Sequence, residues 1–182
     1  MKLTYEDIIS SSLTLHTENV LKNDNTEELT FFIHDQDGIQ NIDIYSNKFK
    51  NGQIQLITRQ NSESEKIFIR DLFQRIDKII DLDFKEKADN NGSDIDIYSI
   101  TYSSSLEKNG VGQTIQQTSE YGAWWDVLWK LDDSSQHTIV HEIGHALGLS
   151  HPMEQPFNKA WNTEDTVMSY NQGDSGWSSW FS

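Results

Sequence analysis

The sequence contains no cysteine, and this absence excludes several kinds of site. A chain without thiols cannot form disulfides, bind a metal through thiolates or use a cysteine nucleophile. Mean hydropathy is −0.65, and no apolar run approaches the roughly 18 residues that a membrane helix needs.

Positive charge is also scarce, because 14 Lys and Arg face 29 Asp and Glu, giving a net charge of −15. Nucleic acids and anionic membranes both attract cationic surfaces, so we expect neither as a partner. Glu6 and Asp7 come before any apolar core develops, so no signal peptide is predicted at the start. The length of 182 residues fits one domain, and 11% aromatic residues are too many for a disordered chain.

The pattern of apolar residues predicts an α+β domain over residues 29–182, preceded by an N-terminal extension of residues 1–28. Ser62 and Glu65 form a capping box, and apolar residues then recur at helical spacing as far as Ile80. Residues 110–118 are either an edge strand or a solvated loop. Strands are predicted at residues 29–33, 94–97 and 124–129, together with a hairpin of residues 42–45 and 54–57 that turns at Asn51-Gly52.

A second helix is predicted over residues 133–148, and it carries the clearest chemistry. His141 and His145 are four residues apart, so both project from one side and can share a metal ion. Glu142 is rotated by about 100° around the helix axis, which makes it a poor ligand that can still reach a water on the metal. Gly148 ends the helix in a left-handed turn that brings His151 back as a third ligand. Asp133 or Ser134 is the predicted cap.

The spacing H-E-x-x-H-x-x-G-x-x-H is typical of the metzincins, and its five fixed positions match by chance in roughly one such chain in a hundred thousand. Structural zinc usually has four protein ligands, often sulfur, whereas three imidazoles leave one position open for water. The pattern therefore favours one catalytic Zn²⁺, although other divalent ions could occupy the site in vitro. Calcium is not supported by a motif, since Asp35-x-Asp37-Gly38 lacks the remaining ligands of a calcium loop.

Residues 137–152 resemble the active-site stretch of the serralysin branch of metzincin zinc endopeptidases, including Pro152 directly after the third histidine. Residues 163–170 resemble the Met-turn of the same enzymes. The resemblance implies a zincin-like, mostly parallel sheet packed on a backing helix and an active-site helix. It also implies an upper subdomain to about residue 149 and a small irregular lower subdomain over 150–182, without the C-terminal helix of serralysins. The chain has no Gly-Gly, so the calcium-binding β-roll of serralysins is not expected.

The resemblance also assigns roles to individual residues. His141, His145, His151 and Tyr170 would bind zinc, Glu142 would move protons, and Tyr170 would swing away to stabilise the oxyanion. Met168 would lie beneath the imidazoles, and Gly148 would shape the turn. A peptide or protein substrate would lie antiparallel to the edge strand, and an extracellular, secreted location would follow from the habit of these enzymes.

Two other functions stay open at this point. The chain could be a metzincin-fold binding or structural module with little or no turnover, or a zinc hydrolase that acts on a bond other than the peptide bond. The intact Glu142 favours an enzyme, because inactive relatives of such enzymes usually lose that residue first.

Overall fold

The chain folds as an α+β structure, which a computed structural model describes for residues 3–22, 26–46, 49–132 and 135–174. Within these residues the helices are α1 (Ser11–Leu21), α2 (Glu63–Asp77) and α3 (Ser135–Ala146). The strands are β1 (Glu28–His34), β2 (Gly38–Ser46), β3 (Phe49–Thr58), β4 (Asp83–Glu86), β5 (Ile95–Ser103), β6 (Gly112–Ser119) and β7 (Gly122–Lys130). The expected α+β class is confirmed. Of the two alternatives for residues 110–118, the structure has the edge strand, which is β6.

The sheet is mixed, not mostly parallel as predicted. β5 lies at its centre and runs parallel to β1 and β7, and β4 runs parallel to β1. The pairs β2–β3, β3–β5 and β6–β7 are antiparallel, so the described strands form three ladders of each kind. Two of the antiparallel ladders, β2–β3 and β6–β7, are hairpins, whose short connections can only join antiparallel strands. The third arises where β3 of the first hairpin pairs with β5.

The turn of the first hairpin is not where the sequence pattern predicted it. Asn51 and Gly52 lie within β3, where Gly52 pairs with Ile44 of β2. The connection falls at residues 47 and 48, which lie outside the described residues. Both strands extend beyond their apolar centres, so the Asn-Gly pair that normally marks a turn is absorbed into a strand.

The first long helix begins as predicted. The Ser62 side chain accepts from the Glu65 amide, and the Glu65 carboxylate accepts from the Ser62 amide. α2 ends at Asp77, however, so Ile80 lies beyond the helix and is largely exposed. The predicted caps of α3, Asp133 and Ser134, lie outside the described residues.

One face of the sheet packs against all three helices. Alternate residues of the central strands point into this layer, and Trp125 and Trp129 are completely buried there. α3 adds Ile139, Ile143 and Ala146 to the same core. Full burial of one large apolar side chain contributes about 1.5–3 kcal/mol, so this layer fixes α3 firmly on the sheet.

The β2–β3 hairpin covers the opposite face of β5 and β7. Ile54 and Leu56 of the hairpin pack in one buried cluster with Leu128 of β7. Asp94 and Asp96 lie on this side and are buried. These two carboxyl groups are therefore not part of a solvated acidic surface. The Asp94 carboxylate accepts hydrogen bonds from Thr30, and Asp96 pairs in register with Asp126 of β7.

Part of the predicted N-terminal extension is helical and packed. α1 contacts β7 and α3, and the His16 Nε2–H donates to the Trp124 carbonyl at 2.9 Å. At the other end, a short 3₁₀ helix (Pro152–Glu154) is followed by turns, and residues 155–174 contain no helix or strand. None of the described helices has the length and apolarity to cross a membrane.

Candidate metal centre

α3 and the turn after it bring three imidazoles together. His141 is 3% exposed, His145 lies one helical turn further on, and His151 follows the chain reversal. One nitrogen from each ring can be chosen so that all three lie within 4.8 Å of one another. Among the described residues, this is the one group of three or more His, Asp or Glu side chains that could bind a metal ion.

Backbone carbonyls orient two of the rings. The Nδ1–H of His141 donates to the Val167 carbonyl at 2.9 Å, and that of His145 donates to the Leu149 carbonyl at 2.7 Å. Because a carbonyl can only accept, each of these bonds places the proton on Nδ1 and leaves the Nε2 lone pair for a metal.

The three imidazoles are neutral near pH 7, as metal ligands must be. Burial, followed by the neighbouring imidazoles, lowers the pKa of His141 to about 3. The same two causes lower the pKa of His151 to about 4, and burial lowers that of His145.

The spacing and chemistry of the nitrogens fit a divalent ion. Two nitrogens bound to one tetrahedral ion at about 2.0–2.1 Å lie about 3.3–3.4 Å apart. The Nε2 atoms of His141 and His151 are 3.2 Å apart. Neutral imidazoles suit zinc, copper, iron and nickel better than calcium or magnesium. The three predicted ligands therefore form a group that could bind a metal ion.

The Glu142 carboxylate lies against β6, where two residues enclose it. The Thr114 hydroxyl lies 2.8 Å from Glu142 Oε2 and 2.8 Å from the Glu142 carbonyl. A Cβ placed on Gly112 would lie 2.6 Å from Glu142 Oε1, so only glycine leaves room for the carboxylate. Burial raises the pKa of Glu142 to about 7.

Tyr170 lies at the rim of the imidazole cluster. Its ring centroid is 4.8 Å from that of His151 and 5.3 Å from that of His141, and the side chain is 48% exposed. Phe157 packs edge-on against the outer side of the ring at 5.1 Å. Burial of the hydroxyl, and then the nearby Glu142, raise the pKa of Tyr170.

Gly148 and Met168, to which the resemblance gives structural roles, both lie beside α3. Gly148 has φ +96°, the left-handed conformation that ends α3 and reverses the chain. Met168 is completely buried after a tight turn in which the Ser169 amide donates to the Thr166 carbonyl. Its sulfur would lie 2.9 Å from a Cβ on Gly144, so Met168 packs against α3 between His141 and His145.

Sequence reasoning missed Gly112 and Thr114 as part of the site. Their one sequence signal is their spacing of two on a predicted edge strand, which places both side chains on one face. His16, His34 and His137 do not belong to the group that could bind a metal ion. His137 is nevertheless a neighbour of this group, since its ring centroid is 6.0 Å from that of His141.

A cavity of about 1200 Å³ lies apart from this centre, on the sheet face opposite α3. Phe32, Asp96, Tyr98 and Trp124 line it, and none of the predicted site residues does. Trp125, in contrast, belongs to the core between the sheet and the helices.

No family model matches the chain, and no curated protein does. The interpretation of the site depends on its own residues and geometry.

Proposed function

We propose that this chain is a zinc-dependent endopeptidase. The observation that carries the proposal is the convergence of three neutral, inward-facing imidazoles beside a buried carboxyl group on the same helix. A site that closes a structural metal would need a fourth permanent ligand, and the described residues supply no further His, Asp or Glu to the group.

His141, His145 and His151 would hold the zinc ion, which supplies a water of lowered pKa and polarises the substrate carbonyl. Three imidazole nitrogens support zinc over calcium or magnesium, which prefer oxygen ligands.

Glu142 would act as the proton carrier. It accepts a proton from the attacking water and returns it to the leaving amine. A carboxyl group with a pKa near 7 suits both steps at neutral pH, because it can both accept and release the proton. Thr114 and Gly112 keep the carboxylate in one orientation during this exchange.

Tyr170 would donate its hydroxyl hydrogen bond to the negatively charged oxygen of the tetrahedral intermediate. Its half-exposed ring beside His151 has room to move from a resting position on the metal, as the resemblance to serralysins implies. Loss of one such donor costs about 3 kcal/mol of transition-state stabilisation.

The edge strand β6 supports a peptide as substrate. β6 pairs with β7 and with no other described strand, and its residues 112 and 114 lie directly beside Glu142. An extended peptide can add to such an edge through backbone hydrogen bonds, which brings its carbonyls to the metal centre. The path β4-β1-β5-β7-β6 with an antiparallel edge strand also supports a zincin-like fold. The proposal includes two further points that the resemblance to serralysins implies: the chain is a metzincin, and it acts outside the cell.

Glu142→Ala is the direct test. We expect the variant to retain its metal and to lose casein cleavage by at least about 10²-fold, because no other group can carry the proton. The exposed Glu120→Ala is the matched control and should cleave normally, and a chelator should abolish cleavage by the wild type. Unchanged hydrolysis by Glu142→Ala would contradict the mechanism. A metal-loaded wild type that cleaves neither peptides nor esters would favour a binding module. A metal-loaded wild type that cleaves esters but no peptide would favour a hydrolase that acts on another bond.

A further inference from the structure

An N-terminal segment pairs with the turn that carries the metal ligands. Residues 8–10 run antiparallel to residues 148–150, with Ile9 opposite Leu149 in an isolated bridge. Two backbone hydrogen bonds join the segments: Ser10 N to Gly148 O (3.0 Å) and Ser150 N to Ile8 O (2.6 Å).

This turn determines the position of two ligands. The Leu149 carbonyl, which lies between the two hydrogen bonds, accepts from His145 Nδ1–H at 2.7 Å. Ser150, which donates to Ile8, directly precedes His151. The N-terminal pairing therefore fixes the carbonyl that orients one imidazole and the backbone that leads into another.

The pairing is anchored to the rest of the fold through α1. The Thr17 hydroxyl donates to the Ala146 carbonyl at 2.9 Å, at the end of the metal-binding helix. Thr14 packs against Gly148, where a Cβ would lie 2.9 Å from the threonine hydroxyl. His16 joins α1 to β7 through the Trp124 carbonyl. The turn is thus held from the sheet side as well as by α3.

We propose that residues 8–17 are a positioning segment of the metal centre, which holds the turn at 148–150 so that His145 and His151 face one ion. Groups that orient metal ligands typically change metal affinity by about 10- to 100-fold when they are removed. The inference depends on the three-histidine metal site and not on peptide hydrolysis.

The first test compares Ser10→Pro with Ser10→Ala in the full chain. Both variants lose the side-chain cap of α1, but only proline also removes the amide that donates to Gly148. We expect Co²⁺, followed by its visible absorption, to bind Ser10→Pro at least about tenfold more weakly than Ser10→Ala. Equal affinities would overturn the proposal. A wild type that binds no Co²⁺ would overturn the metal site and the proposal together.

The second test uses the unmodified protein, so that misfolding of a variant cannot decide the result. If the pairing supports the metal, then by reciprocity the metal must stabilise the pairing. Zinc should slow hydrogen exchange of the Ser10 and Ser150 amides by at least about tenfold. The Lys87 amide, bonded to Phe31 at the far side of the sheet, is the reference. Equal slowing at Ser10 and Lys87 would show that the N-terminal segment is structural only.

Discussion

Three polar side chains of the candidate metal centre, those of His141, His145 and Glu142, are oriented by groups that come from other parts of the chain. Carbonyls of Val167 and Leu149 fix two imidazoles, and β6 fixes the Glu142 carboxylate. None of these partners belongs to the helix that carries the motif. α3 therefore supplies two of the histidines and the carboxyl group, and the surrounding chain fixes the orientation of these side chains.

Thr114→Val should lower kcat of peptide cleavage by about tenfold and leave KM and metal content unchanged. The substitution removes the hydroxyl that holds Glu142, whereas the side chain at position 114 faces α3 and not a bound peptide. Thr114→Ser should restore most of kcat, because it restores the donor. Thr118→Val, an exposed position on the same strand, is the matched control. Steady-state kinetics with a fluorogenic peptide measure the effect, and full kcat in Thr114→Val would contradict it.

The convergence of the three histidines was predictable from the sequence because their relation is local. Four residues in a helix place His141 and His145 on one side, and Gly148 marks the reversal before His151. The contact of Thr114 with Glu142 joins residues that are 28 positions apart. It depends on the register in which β6 pairs with β7. No pattern in a single sequence specifies that register, so the two residues that enclose Glu142 could not be predicted.

At the scale of elements, α2, α3 and the strands β1, β5 and β7 lie close to their predicted positions because each has a clear apolar pattern. The predicted hairpin turn failed, because Asn51-Gly52 is a local signal and the pairing of β2 with β3 outweighs it. The prediction of a mostly parallel sheet came from a resemblance that is carried by residues 137–152 and 163–170, outside the sheet. It failed because the long β2–β3 hairpin adds two of the three antiparallel ladders.

The neighbouring strands β5 and β7 place Asp96 and Asp126 opposite each other in a buried layer. Burial raises the pKa of Asp126 to about 7, and burial together with Asp126 raises that of Asp96 to about 8. In the unfolded chain both carboxyl groups titrate near 3.8. Between about pH 4 and 8 the folded state thus holds protons that the unfolded state has released, and stability falls as the pH rises.

Asp126→Asn should remove part of this pH dependence. The amide keeps the size of the carboxyl group and can accept from Gln117, but it does not titrate. We expect the free energy of unfolding of the variant, relative to the wild type, to increase between pH 5 and pH 8. Urea unfolding of the metal-free proteins measures it, with the exposed Asp81→Asn as control. A difference that stays constant with pH would contradict the raised pKa.

At the scale of the whole molecule, the sheet separates two regions of different character. The metal centre lies on the helical side, and the acidic cavity lies on the other side with the buried carboxyl groups. The net charge of −15 favours divalent cations in the surrounding medium and disfavours polyanionic partners. The metal centre also joins α1, α3 and the turn at Met168, so an ion bound there stabilises contacts between distant parts of the chain.

Zinc should consequently raise the thermal stability of the chain, because it binds the folded state and finds no preformed site in the unfolded one. At a free concentration one hundred times the dissociation constant, the gain is about 2.7 kcal/mol. Differential scanning calorimetry with zinc and then with excess chelator measures the shift in Tm. A Tm that does not respond to zinc would contradict a site that forms on folding.

The account depends most on a single ion held by His141, His145 and His151. Metal analysis of the purified chain combined with X-ray absorption at the zinc edge tests this directly. We predict one zinc ion per chain, with three imidazole nitrogens in its coordination shell and at least one oxygen. A chain that binds no zinc, or binds it through carboxylates with fewer than three imidazoles, would contradict the account.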